Sequence, residues 1–519
     1  MKSLQMGIYD DLDTQTQPLL NIDIFLNNII VFGDHMSGKT TFLKTLLVRM
    51  HQNVEKTDAE EIYIIDFGGN LGEYKKLPLV AACFDNSNEE NIRRAFKTVE
   101  NRFEQNIKQL KSEQFNDAYR DATGTKPQHI TLIIDNINSF LADERYAPYQ
   151  DDLIKFCRDG LSKGLSVVFT ANDTSNGLGK FLSNFAQKLV FDVSTEVYIE
   201  VFGIKVNEPM KNPGRGVAVI NGKPKEFQVF LPFENEKNEI SEFISSCSDI
   251  TCKVSKLQSF ADELNFTNFS EYSKDGVTVD EAQAGEDKIV VGLDYYEHRP
   301  ILVNLKEMRS IAIYGKKKFG KTNLLQLLIR EIRRKHPDYT IVLVDDGRKQ
   351  LETFHIKDNP NSVYKSKLED LADYLESNGY AKVRASKAGA PAFEEKVTPP
   401  TVFVLQSKML FQPASKGFIT AFASLTAKAE ERKCYFIYSD MKKIVNDDAD
   451  TRANINNSIS AAFLLDNIAE FVSNQGSKSV FGDMDAKELK FEYARCELGD
   501  GYFYDIESDE LNKVKFLKV

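Results

Sequence analysis

Two octapeptides in this 519-residue chain, GDHMSGKT at 33–40 and GKKKFGKT at 315–322, place two glycines around a four-residue loop and follow the second with Lys-Thr. Glycines at both ends let a loop close around a phosphate, so that successive backbone N–H groups and the start of a following helix face the anion. Lys39 and Lys321 would then reach β- and γ-phosphate oxygens, and Thr40 and Thr322 would offer a hydroxyl to Mg²⁺. On this reading Gly33, Asp34, His35, Met36, Ser37, Gly38, Lys39, Thr40 and Thr41 form one ATP site, and Gly315, Lys316, Lys317, Lys318, Phe319, Gly320, Lys321, Thr322 and Asn323 form another. The competing reading of each loop is a glycine-rich turn with a solvated lysine.

The chemistry also needs an apolar strand ending in an acid that holds the metal, usually followed by a carboxylate that activates water. HITLIIDN (129–136) supplies the strand and Asp135, so Thr40 and Asp135 are the expected metal residues. Asn136 stands where the carboxylate belongs. An amide orients water but cannot take its proton, so ATP binding with slow or absent turnover is expected. In the second half TVFVLQSK (401–408) is the matching strand, and it ends in Gln406, with Asp345 and Asp346 on a neighbouring strand end as substitutes. A strand-end aspartate that merely caps a turn is the plainer alternative for Asp135.

The elements that must position these residues repeat. NIIVF (28–32) and SIAIY (310–314) precede the glycines, and Phe42, Leu43, Leu46, Leu47 and Met50, like Leu324, Leu325, Leu328, Ile329 and Ile332, give helical spacing behind them. Upstream, GIYDDLDTQTQPLLNIDI (7–24) matches GLDYYEHRPILVNL (292–305); downstream, IYIIDFGG (62–69) matches TIVLVDDG (340–347), and PGRGVAVI (213–220) matches LGDGYFYD (498–505). The organisation expected is a first unit at 1–235, a connector at 236–288 with helical stretches at 240–243 and 253–264, and a second, degenerate unit at 289–519. Capping boxes at Ser87/Glu90 and Ser366/Glu369 should open helices, the first running to about Tyr119. Helices alternating with buried strands predict an α/β fold of two tandem RecA-like P-loop NTPase domains with central, mostly parallel sheets.

Composition narrows the function classes. The chain is 42% hydrophobic and 28% charged, as a globular protein is, with no apolar run near the ~18 residues of a membrane helix. Six cysteines without a CxxC pair argue against a zinc site. A net charge of −11 with few basic clusters argues against nucleic acid, whose affinity rests on phosphate neutralisation. The cluster Arg330, Arg333, Arg334 and Lys335 suits a solvated helix end.

The order of elements resembles the FtsK/SpoIIIE branch of RecA-like ATPases. Asp66, Phe67, Gly68 and Gly69 match its acidic strand end, Arg158, Gly160, Ser162 and Gly164 its helix-end pattern, and Gly214, Arg215 and Gly216 its late turn, while Asn172 replaces its sensor glutamine. Degeneracy in a tandem array resembles, more narrowly, the C-terminal ATPase domains of the EssC family of type VII secretion motors. That resemblance implies a piece of a longer protein with forkhead-associated domains, membrane helices and a more active ATPase domain upstream, working at the cytoplasmic face of the membrane. It implies small helical WXG-family substrates, other secretion-system components and the upstream domain as partners, self-assembly in the full machine, and Arg158 as a candidate arginine acting on a neighbour's nucleotide. The rival within the superfamily is a DNA translocase.

Overall fold

The computed structural model describes residues 3–54, 60–87, 89–116, 119, 127–206, 212–250, 254, 256–257, 260, 263–315, 318–345, 349–383, 396–406, 416–439, 458–465, 496 and 498–519. The chain divides into two compact units, Met1–Ser259 and Phe260–Val519.

In the first unit the strands are β1 (Leu4–Tyr9), β2 (Leu19–Ile22), β3 (Ile29–Phe32), β4 (Glu60–Asp66), β5 (Val80–Asp85), β6 (His129–Asp135), β7 (Leu165–Ala171), β8 (Gln187–Val190), β9 (Arg215–Ile220) and β10 (Lys223–Val229). They form one sheet in the order β2-β1-β10-β9-β8-β3-β7-β6-β4-β5. The strands from β8 to β5 are parallel, and β9, β10, β1 and β2 extend the sheet antiparallel. Every residue of β3, β4, β6 and β7 is buried, as a parallel sheet covered on both faces requires. The covering helices are α1 (Lys39–Asn53), α2 (Glu89–Leu110), α3 (Ile137–Ala142), α4 (Gln150–Asp159), α5 (Thr195–Phe202) and α6 (Glu236–Ser246). Phe42, Leu43, Leu46, Leu47 and Met50 of α1 are buried with one face of the sheet, and Phe96, Val99 and Phe103 of α2 with the other.

The second unit contains β11 (Leu264–Asn265), β12 (Lys288–Asp294), β13 (Pro300–Asn304), β14 (Ser310–Tyr314), β15 (Thr340–Val344), β16 (Ser362–Lys365), β17 (Thr401–Gln406), β18 (Cys434–Ser439), β19 (Ala461–Leu464), β20 (Asp500–Asp505) and β21 (Glu510–Lys518). Its order is β13-β12-β21-β20-β19-β14-β18-β17-β15-β16, with β11 alongside β21. Strand for strand this is the order of the first sheet, and both open with a register shift, before Gly7 and before Gly292. Its helices are α7 (Phe269–Tyr272), α8 (Val279–Ala282), α9 (Lys321–Lys335), α10 (Leu368–Ser377) and α11 (Lys416–Ala427).

Several local expectations change. The segment expected as a connector is shared: α6 buries Ile240 with the first core, while Leu264, Phe269 and Val279 belong to a core of the second. No helix forms among the described residues of 253–264, and Leu264 enters β11 instead. Helix α2 starts at Glu89 and stops at Leu110, with the Ser87 hydroxyl turned to Asp85; α10 starts after Lys367, and Ser366 bonds Asp370 at 3.3 Å. A capping box does form at Thr278 and Glu281, where two reciprocal hydrogen bonds hold a single-turn helix. Among the described residues no helix is long and apolar enough to cross a membrane.

Long-range polar groups fix the ends of the central strands. The buried Asn28 amide donates to the carbonyls of Cys157 (2.7 Å) and Asn184 (3.1 Å) and accepts from the Val167 N–H (3.1 Å), anchoring the start of β3. At the free edge, Lys256 donates to the carbonyls of Leu77, Val80 (2.7 Å) and Lys75 (3.4 Å), and the Leu257 N–H bonds Ala81 at 2.7 Å. His51, at the end of α1, donates from Nδ1 to the Leu47 carbonyl (2.7 Å) and accepts the Leu79 N–H at Nε2 (3.2 Å), so the neutral ring is required.

Burial lowers the His51 pKa to about 4, opposed by the Leu47 hydrogen bond and aided by Lys256. Unfolded, the ring titrates near 6.5, so between about pH 6.5 and 4 the unfolded chain binds a proton that the folded chain refuses. Stability is therefore intact above pH 6.5 and falls as pH drops through that window, by up to ~3 kcal/mol from this group. Urea unfolding at pH 7 and pH 4.5 should show the loss, and His51→Gln should remove that part of the slope.

Candidate functional site

The first loop leaves β3 with the Gly33 N–H bonded to Ala171 (3.0 Å) and the Asp34 N–H to Asp192 (2.8 Å), so β7 and β8 flank it. Met36 takes positive φ (63°) and is 80% exposed at the tip beside exposed His35 and Asp34. Gly38 takes φ 115° and starts α1, with Thr40 and Thr41 half-buried in its first turn. A Cβ on Gly38 would meet Gly214 N at 2.7 Å, and the Gly214 N–H donates to the Ser37 carbonyl at 2.8 Å, so backbone lies directly on backbone. The Lys39 ammonium folds onto the carbonyls of Gly33 and Asp34 (2.9 Å to the latter). Burial lowers its pKa, and the charges of Asp135 and Asp34 oppose the shift.

Asp135 lies at the end of β6, level with Thr170 of β7, whose hydroxyl donates to the Asp135 carboxylate and accepts the Asn136 N–H at 2.7 Å. Burial raises the Asp135 pKa, Thr170 pulls it down, Asp66 raises it and Lys39 lowers it. Asp66 is level with Asp135 on β4, but its oxygens accept the N–H groups of Gly69 and Leu71, both at 2.7 Å, and fix the following turn. Asn136 adopts a left-handed conformation (φ 62°, ψ 66°) and caps α3: its Oδ1 accepts the Ser139 N–H and its Nδ2 donates to Ser139 Oγ at 2.8 Å.

Asn172 ends β7 exposed, its N–H held by Asn138 Oδ1 at 2.9 Å. Asn138, which the sequence reading missed, also donates to Asp173 and Ser175 and so shapes the loop after β7. No motif marks it, since its partners lie more than thirty residues away. Arg158 is exposed at the end of α4, bonded to Asp159 at 2.9 and 2.8 Å. The neighbouring Cys157 carbonyl meets Asn28 at the start of β3, so Arg158 lies at the opposite end of the strands from its own loop.

The second loop repeats the backbone. Lys318 has positive φ (73°) where Met36 does, Gly320 (92°) opens α9 where Gly38 opens α1, and buried Lys321 donates to Gly315 O at 2.7 Å. Lys316, Lys317 and Asp346 lie outside the described residues. Phe319 and Thr322 remain at the loop end and the helix start, whereas Asn323 donates to Leu517 O (2.7 Å) and accepts the Val519 N–H (3.0 Å), tying down β21. Register places Gln406 at the Asp135 position and Ser439 at the Thr170 position. Gln406 is buried and its amide donates to Gln350 at 2.6 Å. Asp345, level with Gln406 as Asp66 is with Asp135, accepts the Leu351 N–H at 2.9 Å.

Each donor set answers differently to Mg²⁺. Asp135 and Thr40 supply a carboxylate and a hydroxyl beside a lysine, a set that fits a hard cation. Gln406, neutral and already paired, does not. Among the described residues no group of three or more His, Cys, Asp and Glu side chains could hold a metal by itself.

Residues 5–202 match the FtsK/SpoIIIE family. The chain is 24% identical over 430 residues to the ESX secretion system protein EccC of Geobacillus thermodenitrificans, covering 78% of this chain and 28% of that protein. It is 21% identical over 389 residues to the type VII secretion system protein EssC of Staphylococcus aureus, covering 71% of this chain and 26% of EssC. The chain thus spans about a quarter of these relatives. In fold it is similar to EssC ATPases 2 and 3 from Geobacillus thermodenitrificans, with TM-score 0.72 and 20% identity over 100% of this chain and 96% of that one. Thermomonospora curvata EccC ATPases 2 and 3, in complex with a signal sequence peptide, give TM-score 0.63 and 16% identity over 100% and 93%.

Asn136 combines a helix cap with a left-handed backbone that Asn and Asp tolerate and longer side chains resist. Asn136→Asp should therefore change stability by less than ~0.5 kcal/mol, whereas Asn136→Ala and Asn136→Glu should each lose about 1–2 kcal/mol. Urea unfolding of the three variants checks the order.

Proposed function

We propose, from the FtsK/SpoIIIE domain at residues 5–202 and the tandem likeness to EssC and EccC ATPases 2 and 3, that this chain is a distal, nucleotide-binding part of a type VII protein-secretion motor. It binds ATP with little turnover and contributes to substrate recognition and regulation. The observation that carries this reading is the register-matched repeat in which both phosphate loops persist while Asp135 of one unit becomes Gln406 of the other.

In the first unit Gly33 to Thr41 cradle the phosphates with loop amides and the α1 N-terminus. Lys39 exchanges its own loop carbonyls for phosphate oxygens. Mg²⁺, when bound by Thr40 and Asp135, neutralises charge on those oxygens. Asn136 carries an amide, which takes no proton from water, and the Asp66 carboxylate is turned to the N–H groups of the 69–71 turn. Slow hydrolysis follows. In the second unit Lys318 and Lys321, with Lys316 and Lys317 of the same loop, carry positive charge opposite Gln406 rather than a strand-end carboxylate.

The signal sequence peptide in complex with Thermomonospora curvata EccC supports export signals as the ligand class, and the resemblance to type VII secretion motors adds that such signals belong to small helical WXG-family proteins. Other secretion components, an upstream ATPase domain and copies of the same chain complete the proposed assembly at the cytoplasmic face of the membrane, where Arg158, remote from its own loop, would serve a neighbour's nucleotide. The charge of −11 weighs against DNA, and a salt-dependent DNA-binding assay at low ionic strength should detect none.

Calorimetry of the intact chain should show Lys39→Ala weakening MgATP binding at the first site at least tenfold, about 1.4 kcal/mol; an unchanged affinity in a folded variant removes the loop as the site. Turnover should stay well below the ~1–100 per second of competent phosphoryl-transfer enzymes.

The two sites should also differ toward metal. In a Lys39→Ala chain, which reports the second loop, EDTA should change nucleotide affinity less than it does in a Lys321→Ala chain, which reports the first. Equal losses would mean that the second loop recruits a metal ligand.

A further inference from the structure

The turn that backs the first phosphate loop has a charged support of its own. Gly214 (φ 80°) lies against Gly38, donates to Ser37 O at 2.8 Å and accepts the Val229 N–H at 2.9 Å. The next residue, Arg215, donates from Nε to Glu226 at 2.9 Å and from an η-nitrogen to Asp10 at 2.8 Å. Its guanidinium thus spans β1, β9 and β10 just behind the turn. Gln228, level with Arg215 on β10, donates to Pro213 O at 3.2 Å and covers the glycine.

The same node exists in the second unit with its charges reversed. Asp500 replaces Arg215, following Gly499 (φ 91°) as Arg215 follows Gly214. Lys515 stands level with it on β21, as Gln228 does on β10, and forms an ion pair with Asp500 Oδ1 at 2.9 Å. Tyr295 donates to Asp500 Oδ2 at 2.7 Å from the position of Asp10, and Lys513, at the position of Glu226, sits 4.8 Å over the Tyr295 ring. The backbone bond from Asp10 to Glu226 (2.8 Å) and that from Tyr295 to Lys513 (2.9 Å) fix the equivalence. Gly499 likewise accepts the Phe516 N–H at 2.8 Å. Among the described residues, however, a Cβ on Gly320 would meet nothing within 4 Å, so the second loop does not lean on its turn as the first does.

We infer that Arg215 is a positioning residue for the first phosphate loop: paired with Asp10 and Glu226, it holds the Gly214 turn against Ser37 and Gly38, and so sets the backbone from which Lys39 and the α1 amides meet phosphate. The effect on nucleotide rests on the proposed ATP site; the bracing of the turn does not. Arg215 itself touches no phosphate.

The test uses the full chain carrying Lys321→Ala, so that calorimetry with MgATP reads the first loop, together with amide hydrogen exchange. Arg215→Gln should lower ATP affinity about tenfold and speed exchange at the Gly214 amide at least tenfold, with β6 and β7 amides unchanged. Arg215→Asp, which gathers three carboxylates, should do worse. Adding Asp10→Tyr, Glu226→Lys and Gln228→Lys to Arg215→Asp imports the second unit's node and should return both readouts to within threefold of the parent. Wild-type affinity and exchange in Arg215→Gln would overturn the inference, as would faster exchange throughout β6 and β7, or a four-fold variant that leaves Gly214 unprotected. If the parent binds no ATP, the nucleotide reading fails, and the exchange arm still decides the brace.

Discussion

The register of three neighbouring parallel strands is the constraint on which both units depend. β3, β7 and β6, like β14, β18 and β17, are buried throughout and mostly apolar, so a slip of one residue would exchange the two packed faces of the strand and is strongly opposed. Register then decides what can meet at the strand ends. It puts Asp135 beside Thr170, brings Ala171 to the first loop glycine, and sets Asp66 level with Asp135. In the second unit it delivers Gln406 and Ser439 to the same places.

With geometry held constant, the two sites differ by substitution at fixed positions. A buried carboxylate needs a donor and a nearby cation, and Thr170 and Lys39 supply them. A buried amide is content with another amide, and Gln350 meets Gln406. The last turns of the loop helices show the same logic: His51 of α1 bonds the N–H of Leu79, whereas Arg333, equally far along α9, donates to the Phe354 carbonyl at 2.6 Å. Each helix end fastens the chain leading to the edge strand of its sheet, one with a neutral ring and one with a cation.

The sequence made the loops, their strands and helices, the tandem repeat, and the contrast between Asp135 and Gln406 legible, because each is written in contiguous residues with strong periodicity. What it hid was non-local. Thr170, Asn138 and Asn28 act on partners at least thirty positions away, and Lys256 reaches back to the strand edge at Val80. Asn136 stands where a catalytic acid is expected, and its left-handed backbone and its bond to Ser139 show why an asparagine suits that spot independently of catalysis. At Ser366 the expected capping box gives way to a bond with the nearby Asp370 carboxylate, since α10 starts only after Lys367.

Tandem units with one topology face a hazard during synthesis, since a hairpin of one can add to the half-formed sheet of the other. The opposite charges behind the two glycine turns discourage that error. Were the β9–β10 hairpin to dock where β20–β21 belongs, Arg215 would meet Tyr295 in place of Asp10; were β20–β21 to take the place of β9–β10, Asp500 would arrive beside Asp10. The first mistake forfeits the ion pair with Asp10, and the second sets two carboxylates together in a partly buried place. One inverted ion pair thus labels each hairpin with the sheet to which it belongs.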